Sequence, residues 1–298
     1  MRVTNSLMAD TIIRNLFKNT EDMVKLEEVI SSGKKINKPS DSPIGMSQVL
    51  DYRKTISSID QYQENITQGK SWLTITDTTL DDINLLLIRA KELAEYQATE
   101  TSNADNRAIA TEEIKNIFDQ ILQLSNTEIS GSHIFSGHTT DVATYSKDAN
   151  YNASYDGDPN NGAINLVIGE NIELKINSDG EEVFQGSVNI FNVLRDLNNG
   201  LMANDTSAIA SQLPMLDDSL KQILNERSRV GAKLNRIETT ELYWDDFRLG
   251  INEILSDTED VDITQAMTNL AIQETAYKAA MIASSSILQS GGLIEFLR

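Results

Sequence analysis

The residues best suited to bind a metal or transfer a proton are two histidines in a glycine-rich part of the sequence. His133 and His138 are the only histidines of the chain. Imidazole is a common metal ligand and general base. A zinc site, however, needs three or four protein ligands, and the sequence contains no cysteine to supply them. Because most such histidine pairs do no chemistry, this pair alone does not predict a metal site.

Residues 156–162 resemble a calcium-binding loop at first sight. They read Asp-Gly-Asp-Pro-Asn-Asn-Gly and so supply the oxygen ligands that Ca²⁺ prefers. An EF-hand loop needs glycine at its sixth position and a bidentate glutamate at its twelfth. Counted from Asp156, the glycine falls one residue late and the twelfth residue is Val167. A turn is the better interpretation.

Sequence patterns for nucleophilic or phosphate chemistry are also missing. No serine lies in a Gly-x-Ser-x-Gly setting, and no phosphate-binding glycine loop precedes a predicted helix. The absence of cysteine excludes disulfides, thiolate metal sites and cysteine nucleophiles. We therefore predict no catalytic residue, no metal site and no cofactor, hence a protein that is not an enzyme. Metal analysis of the purified chain would test the alternative, an enzyme or metalloprotein built on the glycine-rich part.

Charge and hydropathy argue against two classes of partner, nucleic acids and membranes. Residues 61–259 contain 33 acidic and 14 basic residues, a net charge of −19, whereas the whole chain carries −20. Such an acidic surface repels phosphates, so nucleic-acid binding is not expected. No apolar run reaches the length of a membrane span, so we expect no membrane insertion.

The start of the sequence does not have the pattern of a cleavable signal peptide. Asp10, Arg14 and Lys18 place charges where such a peptide has an apolar core. We therefore expect either a cytosolic protein or export by a route that uses no cleavable signal.

The last stretch of the chain, residues 262–298, is predicted to form a helix that needs a partner. Asp262 and Gln265 have the spacing of a capping box at its start. Apolar residues then recur in steps of four and three, interrupted by Glu274, which places them along one face. These residues are Ile263, Met267, Leu270, Tyr277, Met281 and Leu288.

The first predicted helix offers a matching face. Its apolar residues have the same spacing, with Asn19 as the polar interruption. They are Ile12, Leu16, Met23, Leu26 and Ile30. We predict that the two terminal helices pair. We interpret their apolar faces as an assembly interface, internal along one side of the pair and between subunits along the other.

A short segment between the first and second helices is predicted to act as a hinge. Gly33 has the position of a left-handed cap that ends the first helix. Ser42 followed by Pro43 is typical of an N-cap and the first residue of a new helix. Two prolines fix two φ angles, so the chain must leave the helix and restart in a set direction. The predicted hinge residues are Pro39, Ser42 and Pro43.

Helical periodicity covers most of the remaining chain, with a predicted weak point at Gly69 and a predicted break at residues 198–200, Asn-Asn-Gly. Short alternating runs punctuated by glycine predict strands and turns in residues 131–190. The predicted organisation is an N-terminal assembly helix in 1–38 that pairs with the C-terminus, a first rod segment in 39–130, a β-rich insertion domain in 131–190, a returning rod segment in 191–261 and a C-terminal assembly helix in 262–298. The predicted fold class is mainly α with a β-rich insertion, an elongated antiparallel helical bundle or coiled coil with paired N- and C-terminal helices.

Several segments together resemble the flagellin superfamily. They are residues 1–4 (Met-Arg-Val-Thr), 31–45, 124–126 with 129–137, 155–158, 228–236 and 256–262, and they follow the order of the family over nearly the whole chain. Residues 39–43 read Pro-Ser-Asp-Ser-Pro and are similar to members found at the junction between hook and filament. Filament flagellins usually carry Ala-Lys-Asp-Asp-Ala-Ala-Gly there. Ser42 replaces an aspartate of the junction pattern and keeps its N-capping ability.

This resemblance implies a flagellin-like fold and a structural role in bacterial motility. It implies a subunit that joins hook and filament, with a filament flagellin as the alternative. The implied partners are further copies of the same chain in a ring, a neighbouring hook-associated protein, flagellin and a flagellar export chaperone. The implied location is the extracellular flagellum, reached unfolded through the type III export pathway without a cleavable signal peptide.

Overall fold

The structure is a computed structural model that describes residues 5–99, 103–158 and 162–296. The helices are α1 (Asn5–Ser32), α2 (Pro43–Gln97), α3 (Ala104–Ser125), α4 (Gly180–Gln185), α5 (Ile190–Met202), α6 (Thr206–Glu259) and α7 (Ile263–Phe296). The strands are β1 (Glu128–Ile129), β2 (Ser132–His133), β3 (Tyr145–Lys147), β4 (Ala153–Tyr155), β5 (Asn165–Gly169) and β6 (Ile172–Lys175). The predicted fold class, mainly α with a β-rich insertion and paired terminal helices, is confirmed.

The chain forms two compact units. The terminal unit consists of Met1–Ser58 and Phe247–Arg298, and the middle unit consists of Ile59–Asp246. Helices α2 and α6 contribute residues to both units.

A buried apolar side chain recurs every seven residues along the two long helices of the middle unit. On α2 and α6 these side chains are at most 1% exposed. A strict seven-residue repeat is typical of a left-handed coiled coil. Ion pairs of Lys91 with Asp217 and of Arg227 with Asp81 show that the two helices run antiparallel. The residues of this repeat are Ile59, Ile66, Leu73, Leu80, Leu87 and Ala94 on α2, and Ile209, Leu216, Ile223, Val230 and Ile237 on α6.

The predicted weak point at Gly69 is wrong, because α2 runs without interruption through this position. Gly69 serves instead as a point of close approach. A Cβ atom there would lie 3.1 Å from Leu166 Cδ1 on β5 and 3.3 Å from Ile237 Cδ1 on α6. The missing side chain therefore lets a hairpin and a helix pack against α2.

The predicted break at residues 198–200 is also wrong, because α5 continues through them to Met202. A Cβ atom on Gly200 would lie 3.3 Å from the Ala208 Cβ. Gly200 thus allows α5 to approach the start of α6. The helix break lies further on, where the Asp205 carboxylate accepts a hydrogen bond from the Ser207 amide at 2.9 Å and caps α6.

The β-rich insertion contains three antiparallel two-stranded sheets, β1–β2, β3–β4 and β5–β6. Their registers pair Glu128 with His133, Tyr145 with Tyr155 and Asn165 with Lys175. Two-stranded sheets are marginal alone and need a packed face. A buried aromatic cluster provides it, with ring centroids 4.8 to 5.8 Å apart. The cluster consists of Phe118, Phe135, Tyr145, Phe184 and Phe191.

The hairpin β5–β6 is held by side chains from both long helices of the middle unit. The Asn65 side-chain amide donates a hydrogen bond to the Val167 carbonyl at 2.7 Å. The Trp244 indole N–H donates to the Ile168 carbonyl at 2.7 Å. These bonds attach β5 to both helices through its backbone carbonyl groups.

Replacing Gly69 with valine should destabilise the middle unit by about 1–3 kcal/mol, because the new side chain would overpack the contact with β5 and α6. The matched control is Gly231→Val on α6, where no heavy atom lies within 4 Å of an added Cβ. That change should alter the free energy of unfolding by less than about 0.5 kcal/mol. Urea unfolding followed by circular dichroism measures both variants. Equal effects at the two positions would contradict the packing role of Gly69.

Candidate functional site

The two terminal helices lie against each other over much of their length. On α1, all five apolar positions predicted from the sequence are half-buried. They are Ile12, Leu16, Met23, Leu26 and Ile30. The predicted pairing of the terminal helices is therefore confirmed, although a contact within one chain does not test their role between subunits.

The least exposed row of α7, which we assign to the contact with α1, shares Leu270 and Tyr277 with the predicted row and differs from it at the positions between them. Its side chains recur in steps of four and three, and the first of them, Ala266, is 4% exposed. The row consists of Ala266, Leu270, Gln273, Tyr277, Ala280 and Ser284. Alanine and serine at half of these positions allow the backbones of α1 and α7 to approach closely.

Three of the predicted α7 residues do not lie in the intramolecular row, and their assignment to an assembly interface stays a prediction that can concern only the side between subunits. Ile263, Met267 and Met281 are 51%, 59% and 49% exposed. Leu270 and Tyr277 do lie in the row, and the Leu288 side chain is outside the described part of the chain. The physical reason is that α7 has apolar residues on more than one side, so spacing alone does not identify the side that meets α1.

Both terminal helices also expose large apolar side chains away from their common contact. Residues 263–286 contain just two charged side chains, Glu274 and Lys278, and these pair with each other at 3.5 Å. A helix with so few charges requires more neighbours than a single partner helix, and contiguous exposed apolar area marks an interaction surface. The exposed residues are Leu7, Ile13, Phe17 and Val24 on α1, and Ile263, Met267, Ile272, Met281 and Ile282 on α7.

The segment between α1 and α2 is ordered by its own polar groups. Gly33 ends α1 in a left-handed conformation at φ 71°, and its amide donates to the Val29 carbonyl at 2.9 Å. Further on, Asp41 accepts hydrogen bonds from the backbone amides of Lys38 at 2.8 Å and Asn37 at 3.0 Å. These bonds stabilise the carboxylate and hold the pKa of Asp41 below its ordinary value.

The predicted start of α2 is confirmed. The Ser42 hydroxyl accepts a hydrogen bond from the Gly45 amide at 3.1 Å, as an N-cap does, and Pro43 is the first helical residue. Gly45 allows a close approach, because a Cβ atom there would lie 2.6 Å from Ile36 Cδ1. Ile36 is buried, so the loop folds back onto the first turn of α2.

A buried carboxylate that no sequence pattern revealed joins this loop to the turn between α6 and α7. The Glu259 side chain is 3% exposed and forms ion pairs with Lys34 and Arg53. From the sequence alone, Lys34 would be expected to interact with the negative end of the α1 dipole and not with Glu259. Arg53 and Glu259 are 206 residues apart in the sequence, so no local pattern could have identified the pair.

The start of α7 agrees with the prediction in one of its two hydrogen bonds. The Asp262 carboxylate accepts from the Gln265 amide at 3.1 Å and caps the helix. The Gln265 side-chain amide donates to Asn269 at 3.1 Å rather than completing a capping box.

The histidines occupy ordinary structural positions in the insertion. His133 lies on β2, where its Nδ1 is 2.9 Å from the Asn126 carbonyl oxygen. The ring of His138 lies beside Gly162, 2.0 Å from where a Cβ atom would be. Pro159, Asn160 and Asn161 of the calcium-like segment lie outside the described residues. In the part of the chain that the structure describes, no three histidine or acidic side chains are grouped to hold a metal ion.

No helix among the described residues is both long enough and apolar enough to cross a membrane. This finding includes α7, the least charged of the long helices.

Comparison with known proteins places these helices in a family. The model of the bacterial flagellin N-terminal helical region matches residues 3–140, and that of the bacterial flagellin C-terminal helical region matches residues 213–297. Together they cover more than half of the chain. Flagellar hook-associated protein 3 of Escherichia coli (strain K12) is 25% identical over 305 residues, which cover 94% of this chain and 95% of that protein.

Similarity is also found to a flagellin and to a solved structure of a flagellar protein. Flagellin of Bacillus subtilis (strain 168) is 27% identical over 316 residues and 100% of both chains. The solved structure of a flagellar hook-associated protein from Vibrio parahaemolyticus has a TM-score of 0.68 at 21% identity, covering 74% of this chain and 100% of that one. At this identity the structural likeness establishes the fold.

The Asp41 carboxylate should make the loop between α1 and α2 sensitive to acid. Because its folded pKa is lowered, it stabilises the ordered loop above its ordinary pKa, and this effect is lost as the pH falls through the lowered value. We expect the amides of Asn37 and Lys38 to lose protection from hydrogen exchange in Asp41→Ala at neutral pH, and in the unaltered chain at acid pH. Protection factors measured by NMR test this. Asp51→Ala, an exposed position on α2, is the control, and unchanged protection in Asp41→Ala would contradict the assignment.

Proposed function

We propose that this chain, which belongs to the bacterial flagellin family, is a structural subunit of the flagellum that forms the junction between hook and filament. The observation that carries the proposal is the pair of terminal helices, which bury one side against each other and expose large apolar side chains on their other sides. Burying that area between subunits is favourable, at about 25 cal/mol per Å² of apolar surface. Assembly thus follows from surface chemistry and needs no catalytic group.

The relatives support the junction more than the filament. The relative in Escherichia coli is named for its association with the hook, and residues 39–43 are similar to junction members. A filament flagellin is the alternative, supported by the relative in Bacillus subtilis. The two are separated by polymerisation of the purified chain, because a flagellin forms long filaments alone and a junction subunit does not.

We infer the same partners that the family resemblance implies. Further copies of the chain would form a ring, with a hook-associated protein on one side, flagellin on the other and an export chaperone before assembly. The subunit would act outside the cell after type III export. In this organisation residues 1–38 and 262–298 serve assembly, 39–130 and 191–261 form the rod, and 131–190 form the insertion domain.

The assembly role predicts the effect of a charge in the α7 row. Leu270→Asp places an unpaired carboxylate in the half-buried row that packs against α1, at a cost on the order of 2–5 kcal/mol, and so disrupts the helix pair that assembly would use. Cells that carry this variant should export the protein but shed flagellin into the medium, as measured by immunoblotting of culture supernatants. Leu270→Met, which keeps an apolar side chain of similar volume, should retain filaments.

The melting temperature of the middle unit separates an assembly defect from a folding defect. Leu270 belongs to the terminal unit, so Leu270→Asp should leave the unfolding transition of the middle unit unchanged. Retention of filaments by Leu270→Asp would mean that the α7 row is not part of the assembly interface.

We further infer that Pro39, Ser42 and Pro43 form the joint at which the chain turns from α1 into α2. Replacing both prolines with alanine frees two φ angles and permits helix where the chain now turns. The double variant should unfold with nearly unchanged stability of the middle unit but restore motility poorly in soft agar. Normal motility would show that the segment is a passive loop.

A further inference from the structure

We propose that Glu259 is a positioning residue that fixes where the two terminal helices begin and end, and that its buried carboxylate acts as a latch between two connections of the chain. The first connection is the loop that follows α1, and the second is the turn between α6 and α7. Both belong to the terminal unit. The inference rests on the proposed function only for its consequence in cells, because the latch itself is a property of the isolated chain.

The carboxylate is held from two directions. Lys34 comes from the loop after α1, and Arg53 comes from the third turn of α2. Their side chains are 40% and 48% exposed, while that of Glu259 is 3% exposed. The buried member of the cluster is therefore the single acid, which both cations share. A buried charge is tolerated only when it is paired and hydrogen-bonded. Loss of the Glu259 carboxylate would therefore abolish the ion pairs with both Lys34 and Arg53.

Backbone hydrogen bonds run in parallel with the ion pairs. The Lys35 amide donates to the Glu259 carbonyl at 2.7 Å, and the Val261 amide donates to the Gly33 carbonyl at 3.0 Å. Lys34 and Asp260 thereby form an isolated antiparallel bridge. A bridge of this length is too short to persist alone. The adjacent ion pairs provide the stabilisation that further backbone hydrogen bonds would provide in a longer strand pair.

Two further groups complete the surroundings of the latch. The Lys35 ammonium donates to the Asp257 carbonyl at 2.5 Å, and the Asp260 carboxylate accepts from the Ser256 hydroxyl at 2.5 Å. Asp260 is thus engaged within its own turn and leaves Glu259 as the acid that crosses to the loop. Glu259 is therefore the one acidic side chain in this cluster that pairs with cations from the loop and from α2.

The position of Glu259 explains why this contact controls the terminal helices. It is the last residue of α6, and α7 begins at Ile263 after a turn of residues 260–262. On the other side, α1 ends at Ser32, directly before Gly33 and Lys34. Fixing Lys34 to Glu259 therefore fixes the ends of both helices within a few residues. Their register, in which Ala266 faces α1, follows from this fixed starting point.

Hydrogen exchange of the purified full chain tests the latch without reference to function. In Glu259→Gln, the amides of Lys35 and Val261 should exchange about ten- to a hundredfold faster, because a buried hydrogen bond to a charged group is lost. Glu253→Gln removes the same charge from an exposed position on α6 and should leave these rates unchanged. Amides in the centre of α2, for example that of Leu80, serve as an internal check that the variant is folded.

The cellular arm uses a strain that lacks the chain, complemented with each variant. Glu259→Gln should be exported and should lose filaments, while Glu253→Gln should retain them. Unchanged exchange at Lys35 and Val261, or normal retention of filaments by Glu259→Gln, would overturn the proposal. If the complemented strain and the deletion strain retain filaments equally, the proposed function fails, and the exchange result alone then decides whether the latch exists.

Reversing the charges of Glu259 and Lys34 distinguishes loss of the latch from a general folding defect. Glu259→Lys should accelerate exchange at both amides, because three cations then meet at one buried point. Adding Lys34→Glu restores one acid between two cations and should slow exchange again by about tenfold relative to the single variant. If the second change brings no recovery, Lys34 and Glu259 are not directly coupled and the latch is disproved.

Discussion

The heptad-spaced burial of apolar side chains between α2 and α6 is the constraint on which the rest of the structure depends. Each buried leucine or isoleucine contributes about 1.5–3 kcal/mol relative to an exposed one. A row such as Ile66, Leu73 and Leu80 therefore fixes the rotation of its helix over many turns. Once that rotation is set, Gly69 faces the place where the hairpin β5–β6 packs. The insertion is thus positioned by a repeat that lies far outside its own sequence.

Local periodicity explains why much of this fold could be predicted from the sequence. The burial of Leu73 and Leu80 follows a seven-residue repeat of apolar side chains that is visible in the sequence. The Ser42 cap was predictable for the same reason, since an N-cap depends on residues within one turn. On α7 the spacing was ambiguous, because Ala266 and Met267 both continue an apolar row. Only contact with α1 selects between them.

Other features depended on contacts between distant parts of the chain. Helix propensity predicts that a glycine inside a helix destabilises it. The packing role of Gly69 becomes evident only when Leu166 and Ile237 are known to be its neighbours. The pairing of Glu259 with Arg53 likewise leaves no trace in either local sequence. A motif resemblance drew attention to residues 31–45 and 256–262 separately. The structure explains why both are needed, since Lys34 and Glu259 meet.

The distribution of charge between the two units favours association through the terminal unit and opposes association through the middle unit. Ile59–Asp246 contains 31 acidic and 13 basic residues, a net charge of −18, whereas the terminal unit carries −2. Like charges on the middle units of neighbouring copies repel over a screening length of about 8 Å at physiological salt. The terminal helices present apolar surface with little net charge, so copies can approach there without that penalty. Repulsion and attraction thus act on different units, and association through the terminal helices is favoured over association through the acidic surface.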